Sequence, residues 1–134
     1  MSSNIMYFTE ILLKDVLNFH NDLENSDIPV EKGVRDIALL ESAINTPFQT
    51  FDGEDLFKTI QDKAARLLCG IISNHAFIDG NKRTAIHAME IFLIINGYTI
   101  QYEDEDMEQL VVEIASGSIN FEQASQWIKN HLDS

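Results

Sequence analysis

The sequence predicts an all-α protein, a compact bundle of about six helices, and three observations support this fold class. Apolar residues recur every three to four positions along nearly the whole chain, which is the spacing of one helical face. Only two of the 134 residues are prolines. Hydrophobic residues make up 45% of the chain, enough for a domain of this length to bury one core. Because no linker, repeat or low-complexity segment interrupts the pattern, we expect residues 1–134 to form a single domain.

The first half of the chain contains three predicted helices, at residues 9–25, 36–45 and 54–73. Thr9 is suited to cap the first helix, because its hydroxyl can accept a hydrogen bond from a backbone amide of the first turn. Pro47 ends the second helix, because proline cannot continue the helical hydrogen-bond pattern. Residues 46–53 are then expected to form an exposed connection. The third helix delivers Asn74 and His75 to a loop.

The second half contains three more predicted helices, at residues 84–95, 104–116 and 120–131. The segment 84–95 is apolar on nearly every side, and this pattern predicts a buried central helix. Gly97 is suited to end that helix, since glycine adopts the left-handed conformation at little cost. Residues 99–102 have a brief extended pattern. Asn120 and Gln123 have the spacing of a capping box at the start of the last helix.

The charge and the apolar pattern exclude several classes of function. A net charge of −13 argues against direct nucleic-acid binding, because an acidic surface repels the phosphate backbone, and it favours basic partners. Glu90 and Asn96 bound the longest apolar run, which is far shorter than the roughly 18 residues of a membrane span. The single Cys69 lies in an apolar run and is expected to be a buried structural thiol. We see no signal peptide at the N-terminus, so we predict a cytoplasmic protein.

The segment 75–85, with the sequence HAFIDGNKRTA, carries most of the functional information. A glycine at a helix start lets the backbone approach a ligand, and the unpaired N–H groups of the first helical turn form an anion site. Gly80 and Asn81 would supply this close approach and an orienting amide. Lys82 and Arg83 add positive charge where a transferring phosphate would lie. The segment therefore predicts a phosphate site with a general base and a metal ligand beside it.

Three other residues of this segment suit distinct roles. His75 is the candidate general base, because an imidazole can take a proton near neutral pH. Asp79 offers the oxygen ligands that Mg²⁺ prefers, and its alternative role is that of N-cap for the following helix. Phe77 is expected to anchor the loop in the core. A purely structural role is the alternative for His75, and it is preferred for the remaining histidines, His20, His87 and His131.

The same segment resembles the signature of the Fic/Doc family. The family pattern is His, any residue, Phe, any residue, Asp, Glu or Asn, then Gly or Ala, Asn, Gly or Lys, and Arg. Lys82 stands where the larger Fic branch has glycine, and a lysine there is typical of the Doc branch. Segments 33–36, 39–43 and 92–98 are also similar to Doc. The resemblance covers the chain from roughly residue 8 to the C-terminus, and it implies a compact helical bundle in which the motif histidine is the general base.

The resemblance to the Doc branch implies a toxin of a type II toxin-antitoxin system. Such a protein would transfer the γ-phosphate of ATP, with Mg²⁺ held by Asp79, to a hydroxyl side chain of a target protein. The implied target is a threonine of the translation elongation factor that delivers tRNA, and the implied outcome is growth arrest. A separate antitoxin chain would neutralise the toxin by laying an amphipathic segment in a groove of the bundle.

Three alternatives differ from this interpretation in their chemistry. Fic-type protein adenylyltransferases have glycine at the position of Lys82 and a second arginine at that of Ile86. Both departures change the place that would hold the outer phosphates, so phosphoryl transfer is favoured over nucleotidyl transfer. A non-catalytic module that binds an antitoxin or another protein would keep the fold, but the presence of both His75 and Asp79 argues against it. A transition-metal site would need more ligands than these two residues.

Overall fold

The computed structural model describes residues 7–133, and these residues confirm an all-α fold with six helices. Two short antiparallel strand pairs accompany the helices: β1 (Thr50–Phe51) pairs with β2 (Glu54–Asp55), and β3 (Thr99–Ile100) pairs with β4 (Leu132–Asp133). The helices are α1 (Leu13–Glu24), α2 (Ile37–Asn45), α3 (Ile60–Asn74), α4 (Asn81–Ile95), α5 (Asp104–Ser116) and α6 (Phe121–His131).

Helix α3 lies at the centre of the bundle and contacts α2, α4, α5 and α6. Small residues let its neighbours approach closely. A Cβ atom added at Gly70 would lie 3.3 Å from the Cβ of Ala43, so α2 packs almost directly on the α3 backbone. Helix α4 lies beside α3 and buries one face, while Ile94 and Ile95 on its other side are 54% and 44% exposed. Between residues 84 and 93 the other side chains of α4 are half-buried and none is exposed, so the predicted buried helix is confirmed for this stretch, although α3 has the more central position.

Helix α1 begins later than predicted, and Thr9 is not its N-cap. The helix starts at Leu13, and its N-cap Leu12 makes no capping hydrogen bond through its side chain. Instead, the Thr9 amide donates to the Asn96 side chain at 2.7 Å, and the Asn96 amide group donates back to the Thr9 carbonyl at 2.9 Å. This pairing satisfies the Thr9 backbone outside the helix, and it ties the segment before α1 to the end of α4.

The third helix also starts later than predicted, because residues 50–55 form a hairpin. The tip of the hairpin is Asp52-Gly53, and both residues have positive φ, at 53° and 78°. An Asp-Gly pair favours a two-residue hairpin turn that needs this backbone conformation at both positions. Helix α3 then begins at Ile60, with the Thr59 side chain accepting a hydrogen bond from the Asp62 amide. The expected exposed connection at 46–53 is thus a 3-10 turn at Thr46–Phe48 followed by the first hairpin strand.

Several local predictions from the second half of the chain are confirmed. Gly97 follows α4 with a φ of 87°. Helix α5 has the predicted bounds, and Asn120 and Gln123 form the predicted capping box at the start of α6. Cys69 is buried, and burial raises the pKa of its thiol to about 11. No helix between residues 7 and 133 combines the length and the apolar composition that crossing a membrane requires.

A buried lysine that the sequence did not reveal fastens the hairpin to α3. Lys63 is 2% exposed, and its ammonium group contacts an Asp55 carboxylate oxygen at 3.1 Å. The same group donates to the carbonyl oxygens of Phe57 at 2.5 Å and Pro47 at 3.4 Å. A buried ammonium is tolerated only when its hydrogen-bond capacity is used in this way. Lys63 therefore ties both ends of the segment 47–57 to α3.

Replacing Lys63 with methionine should lower the free energy of unfolding by about 1–3 kcal/mol, because largely buried carbonyl groups lose their donor. Urea denaturation followed by far-UV circular dichroism measures the change. The matched control is Lys58→Met, which removes an ion pair to Glu54 whose side chains are 69% and 75% exposed. That control should cost about 0.5 kcal/mol or less. Equal losses in the two variants would contradict a clamping role for Lys63.

Candidate active site

His75 follows the last residue of α3 and adopts the left-handed conformation, with φ 49° and ψ 47°. This conformation is uncommon for a residue with a side chain and persists only where neighbouring groups enforce it. Here the Arg35 guanidinium donates to the His75 carbonyl, and the Arg35 and Asp36 amides donate to the Ala76 carbonyl at 2.7 and 3.0 Å. The loop before α2 thus holds the turn, and the His75 imidazole is exposed.

The Asp79 carboxylate is held by two backbone amides. Its Oδ2 accepts from the Glu31 N–H at 3.0 Å, and its Oδ1 accepts from the Gly80 N–H at 2.8 Å. The bond from Glu31 and then the bond from Gly80 are the main reasons why the pKa of Asp79 lies below its usual value. Desolvation opposes them, and the charges of His20 and Arg83 lower the pKa by smaller amounts. The carboxylate makes no cap to α4, so the alternative role as an N-cap is wrong. Asp79 stays ionised at neutral pH and keeps lone pairs for a ligand.

Gly80 is the N-cap of α4, and two geometric constraints require a glycine there. Its φ is +81°, in the left-handed region that side chains disfavour. A Cβ atom at this position would also lie only 3.0 Å from Cγ1 of Val30. The sequence led us to expect that the Gly80 backbone approaches a ligand closely. In the structure the Gly80 backbone approaches Val30, which belongs to the wall of the same site.

The Asn81 side chain fixes the shape of the loop. Its Nδ2 donates to the Phe77 carbonyl at 2.9 Å, and its Oδ1 accepts from the Phe77 amide at 3.1 Å. Phe77 is 1% exposed, which confirms it as the anchor of the loop in the core. Both ends of the Asn81 side-chain amide are used within the loop, so this side chain orients the loop. The backbone N–H of Asn81 is left for a ligand.

Helix α4 begins at Asn81, three residues before the predicted start at residue 84. The backbone N–H groups of Asn81, Lys82 and Arg83 therefore lie in the first turn, where no intrahelical acceptor exists, and no side chain caps this end. Lys82 is exposed and forms no ion pair with a carboxylate of residues 7–133. Arg83 donates to the Ile28 carbonyl at 2.8 Å and keeps other N–H groups for a ligand. Positive charge and unpaired donors thus coincide at this end of α4.

These residues meet in one cavity of about 400 Å³. All six residues predicted for the site line it, so the structure brings them together, and their roles stay predictions. Four apolar or ring side chains complete the wall. The lining consists of His75, Asp79, Gly80, Asn81, Lys82 and Arg83 with Pro29, Val30, Ile72 and Ile78.

The donor set beside this cavity fits Mg²⁺ rather than a transition metal. No group of three or more His, Cys, Asp or Glu side chains that could hold a metal ion occurs among residues 7–133. One exposed, ionised carboxylate in a cavity that two cationic side chains also line is the arrangement in which Mg²⁺ is bound through the protein and the substrate phosphates together. Asp79 would hold the ion.

His20 has the buried, hydrogen-bonded surroundings of a structural histidine, as predicted, but its partner lies in the motif. It is 2% exposed, and its Nε2 lies 2.7 Å from the Asp79 carbonyl oxygen. No spacing in the sequence indicates this contact, because the two residues are 59 positions apart. The other two histidines are structural, as predicted. His87 stacks on Phe19 with ring centroids 3.5 Å apart, and burial lowers its pKa. His131 stacks on Trp127 and donates to the Trp127 carbonyl at 2.7 Å.

Comparison with known proteins agrees with the geometry of the site. The chain matches the Fic/DOC family over residues 7–93, a span that runs from the segment before α1 into α4. It is 42% identical over 88 residues to the protein named Toxin Doc of Mycolicibacterium smegmatis, an alignment that covers 64% of this chain and 68% of that protein. The matched span contains the whole motif, including the Lys82 form of it. The chain therefore belongs to the Fic/Doc family, as a Doc-like member.

Proposed function

We propose that this protein is a Doc-like toxin that transfers the γ-phosphate of ATP to a hydroxyl side chain of a target protein. One observation carries the proposal: the candidate base His75, the carboxylate of Asp79 and the cationic start of α4 line a single cavity. A base, a Mg²⁺ ligand and phosphate-binding donors are the groups that phosphoryl transfer needs in one place.

Each group has a defined part in this reaction. The exposed His75 imidazole takes the proton of the attacking hydroxyl, whose oxygen then forms a bond to the γ-phosphorus. The bond from that phosphorus to the bridging oxygen breaks, and ADP leaves with the electron pair. Lys82, Arg83 and the N–H groups of the first turn of α4 stabilise the negative charge on the phosphate oxygens. Mg²⁺ held by Asp79 supplies further charge neutralisation when bound.

Two observations support phosphoryl transfer over nucleotidyl transfer. The Lys82 ammonium has no carboxylate partner among residues 7–133, so its charge is available to a phosphate. Ile86 stands at the place of the second arginine of Fic adenylyltransferases, is half-buried and packs against the core. Unlike an arginine, an isoleucine at this position offers no hydrogen-bond donor to an outer phosphate.

The biological setting is part of the same proposal, and the name of the relative from Mycolicibacterium smegmatis, Toxin Doc, supports the assignment as a toxin. We infer that this chain arrests growth, acts in the cytoplasm on a threonine of the translation elongation factor that delivers tRNA, and is neutralised by a separate antitoxin chain. The net charge of −13 favours a basic antitoxin segment.

Labelled ATP tests the type of reaction. The purified protein is incubated with the elongation factor, Mg²⁺ and ATP labelled at either the α- or the γ-phosphate. We expect the target to retain label from the γ-position only, with a mass increase of one phosphate. Retention from the α-position would reassign the protein as an adenylyltransferase. The absence of transfer from either position, with a fully folded protein, would favour the non-catalytic binding module.

His75→Ala should abolish growth arrest while the fold persists. The side chain is exposed, so its removal leaves no cavity in the core, whereas loss of a general base typically lowers a rate by about 10²- to 10⁴-fold. Expression without antitoxin gives the readout, and far-UV circular dichroism verifies the fold. His131→Ala is the control, since His131 lies on α6 and should leave toxicity unchanged. Growth arrest by a folded His75→Ala protein would exclude the base role.

Lys82→Gly should weaken phosphoryl transfer and permit slight nucleotidyl transfer, because it removes a charge and frees space for a diphosphate. Adding Ile86→Arg should increase the nucleotidyl activity further, since it restores a donor for the outer phosphate. Mass spectrometry of the target distinguishes the two products. Glycine in a helix costs about 1 kcal/mol in stability, so Lys129→Gly on the exposed face of α6 is the matched control. Unchanged phosphorylation by Lys82→Gly would show that this lysine does not set the reaction.

A further inference from the structure

Beneath the motif loop lies a pair of side chains, the buried His20 and the half-buried Glu24, that the proposed reaction does not use. The two residues are one turn apart on the same face of α1. His20 is 2% exposed, and its ring stacks on the ring of Phe77 with centroids 3.8 Å apart and planes 6° from parallel. Its Nε2 lies 2.7 Å from the Asp79 carbonyl oxygen. A histidine in contact with the loop anchor and with the candidate metal ligand can control the geometry of both.

The chemistry of the partners fixes the direction of these hydrogen bonds. A carbonyl oxygen only accepts, so Nε2 of His20 carries a proton and donates it to Asp79. Nδ1 lies 3.3 Å from Oε2 of Glu24, and the same oxygen accepts from the Gly33 amide at 2.8 Å. Glu24 therefore holds the ring in one orientation and ties it to the loop before α2. A rotation of the ring would break the Nε2 bond to Asp79 and separate Nδ1 from Glu24.

Asp79 is consequently held at three points. His20 holds its carbonyl, the Glu31 amide holds one carboxylate oxygen, and the Gly80 amide holds the other. The Asp79 carbonyl and the Gly80 amide belong to the same peptide group, so a bond that fixes the carbonyl also fixes the amide that orients the carboxylate. Outer partners of this kind commonly orient the ligands of a metal.

We propose that His20, oriented by Glu24, is a positioning residue that sets the direction of the Asp79 carboxylate in the cavity. The inference rests on the proposed function only for the identity of the ligand, Mg²⁺ with a nucleotide. The inference that His20 positions Asp79 does not depend on the proposed function.

His20→Phe is the first test, because phenylalanine keeps the ring stacked on Phe77 but removes the Nε2–H donor to Asp79 and the ring nitrogen that faces Glu24. Solvent-exchange NMR follows the Glu31 and Gly80 amides, which donate to the Asp79 carboxylate. Both should exchange about tenfold faster, the effect of losing one hydrogen bond of ordinary strength. Amides within α6 should not change. The matched control is His131→Phe, since His131 also stacks on an aromatic ring and donates to a carbonyl, but far along the chain from the motif. Unchanged exchange at Glu31 and Gly80 in folded His20→Phe would overturn the proposal.

A double-mutant cycle tests whether His20 acts through Asp79. Calorimetry measures the affinity for ADP with and without Mg²⁺ in the wild type, in His20→Phe, in Asp79→Asn and in the double variant. His20→Phe should weaken the Mg²⁺-dependent affinity by about ten- to a hundredfold, as loss of an outer partner does. In the Asp79→Asn background it should have no further effect. Additive losses would assign His20 a merely structural role and refute the proposal.

Two further measurements keep the proposal testable if His20→Phe does not fold. In the wild type, NMR of the ring nitrogens should show a proton on Nε2 of His20, and an unprotonated Nε2 would refute the assignment. His20→Gln retains an N–H group for the Asp79 carbonyl and should preserve the slow exchange of the Gly80 amide; loss of that protection in folded His20→Gln would count against the proposal.

If the wild type shows no Mg²⁺-dependent binding of nucleotide, the proposed function fails, whereas the exchange data still decide the placement of Asp79.

Discussion

The connection between α3 and α4 is the constraint on which the rest of the site depends. The chain passes between these packed helices within residues 75–80, and the residues at both ends of the connection, His75 and Gly80, are left-handed. The first left-handed residue ends α3 and turns the imidazole outward. The second starts α4 with its N–H groups open to the cavity. A connection this short leaves little freedom, so the base, the carboxylate and the anion site acquire fixed relative positions from the packing of two helices.

The segment between α1 and α2 forms the other half of the site, although it contains no regular secondary structure beyond a single β-bridge between Val34 and Phe77. Its backbone and side chains bind the motif loop at the Ala76 carbonyl, at the Asp79 carboxylate and at Arg83. Loops that carry function need such support from a rigid scaffold. Here each loop supports the other, and α1 supports both of them through His20 and Glu24.

The sequence predicted the site better than it predicted the contacts that build it. The six motif residues lie within nine consecutive positions, 75–83, so a local pattern was enough to place them together. Helix starts failed where a competing structure was available: the long-range pairing of Thr9 with Asn96, and the local Asp52-Gly53 turn, which was readable as a hairpin signal. Lys63, Arg35 and His20 act on partners that are distant in sequence or lie in irregular segments. No period or spacing encodes such contacts, because they arise only once the helices have packed.

The contact between Gly80 and Val30 has a consequence for how sequences of this family can vary. The family pattern allows glycine or alanine at the position of Gly80, yet in this chain a methyl group there would approach Val30 to 3.0 Å. An alanine would also have to adopt a conformation that costs it about 1–2 kcal/mol. The two positions are therefore not independent: a relative with alanine after the motif aspartate should carry a smaller side chain opposite it, or a shifted loop, and the pair should change together across the family.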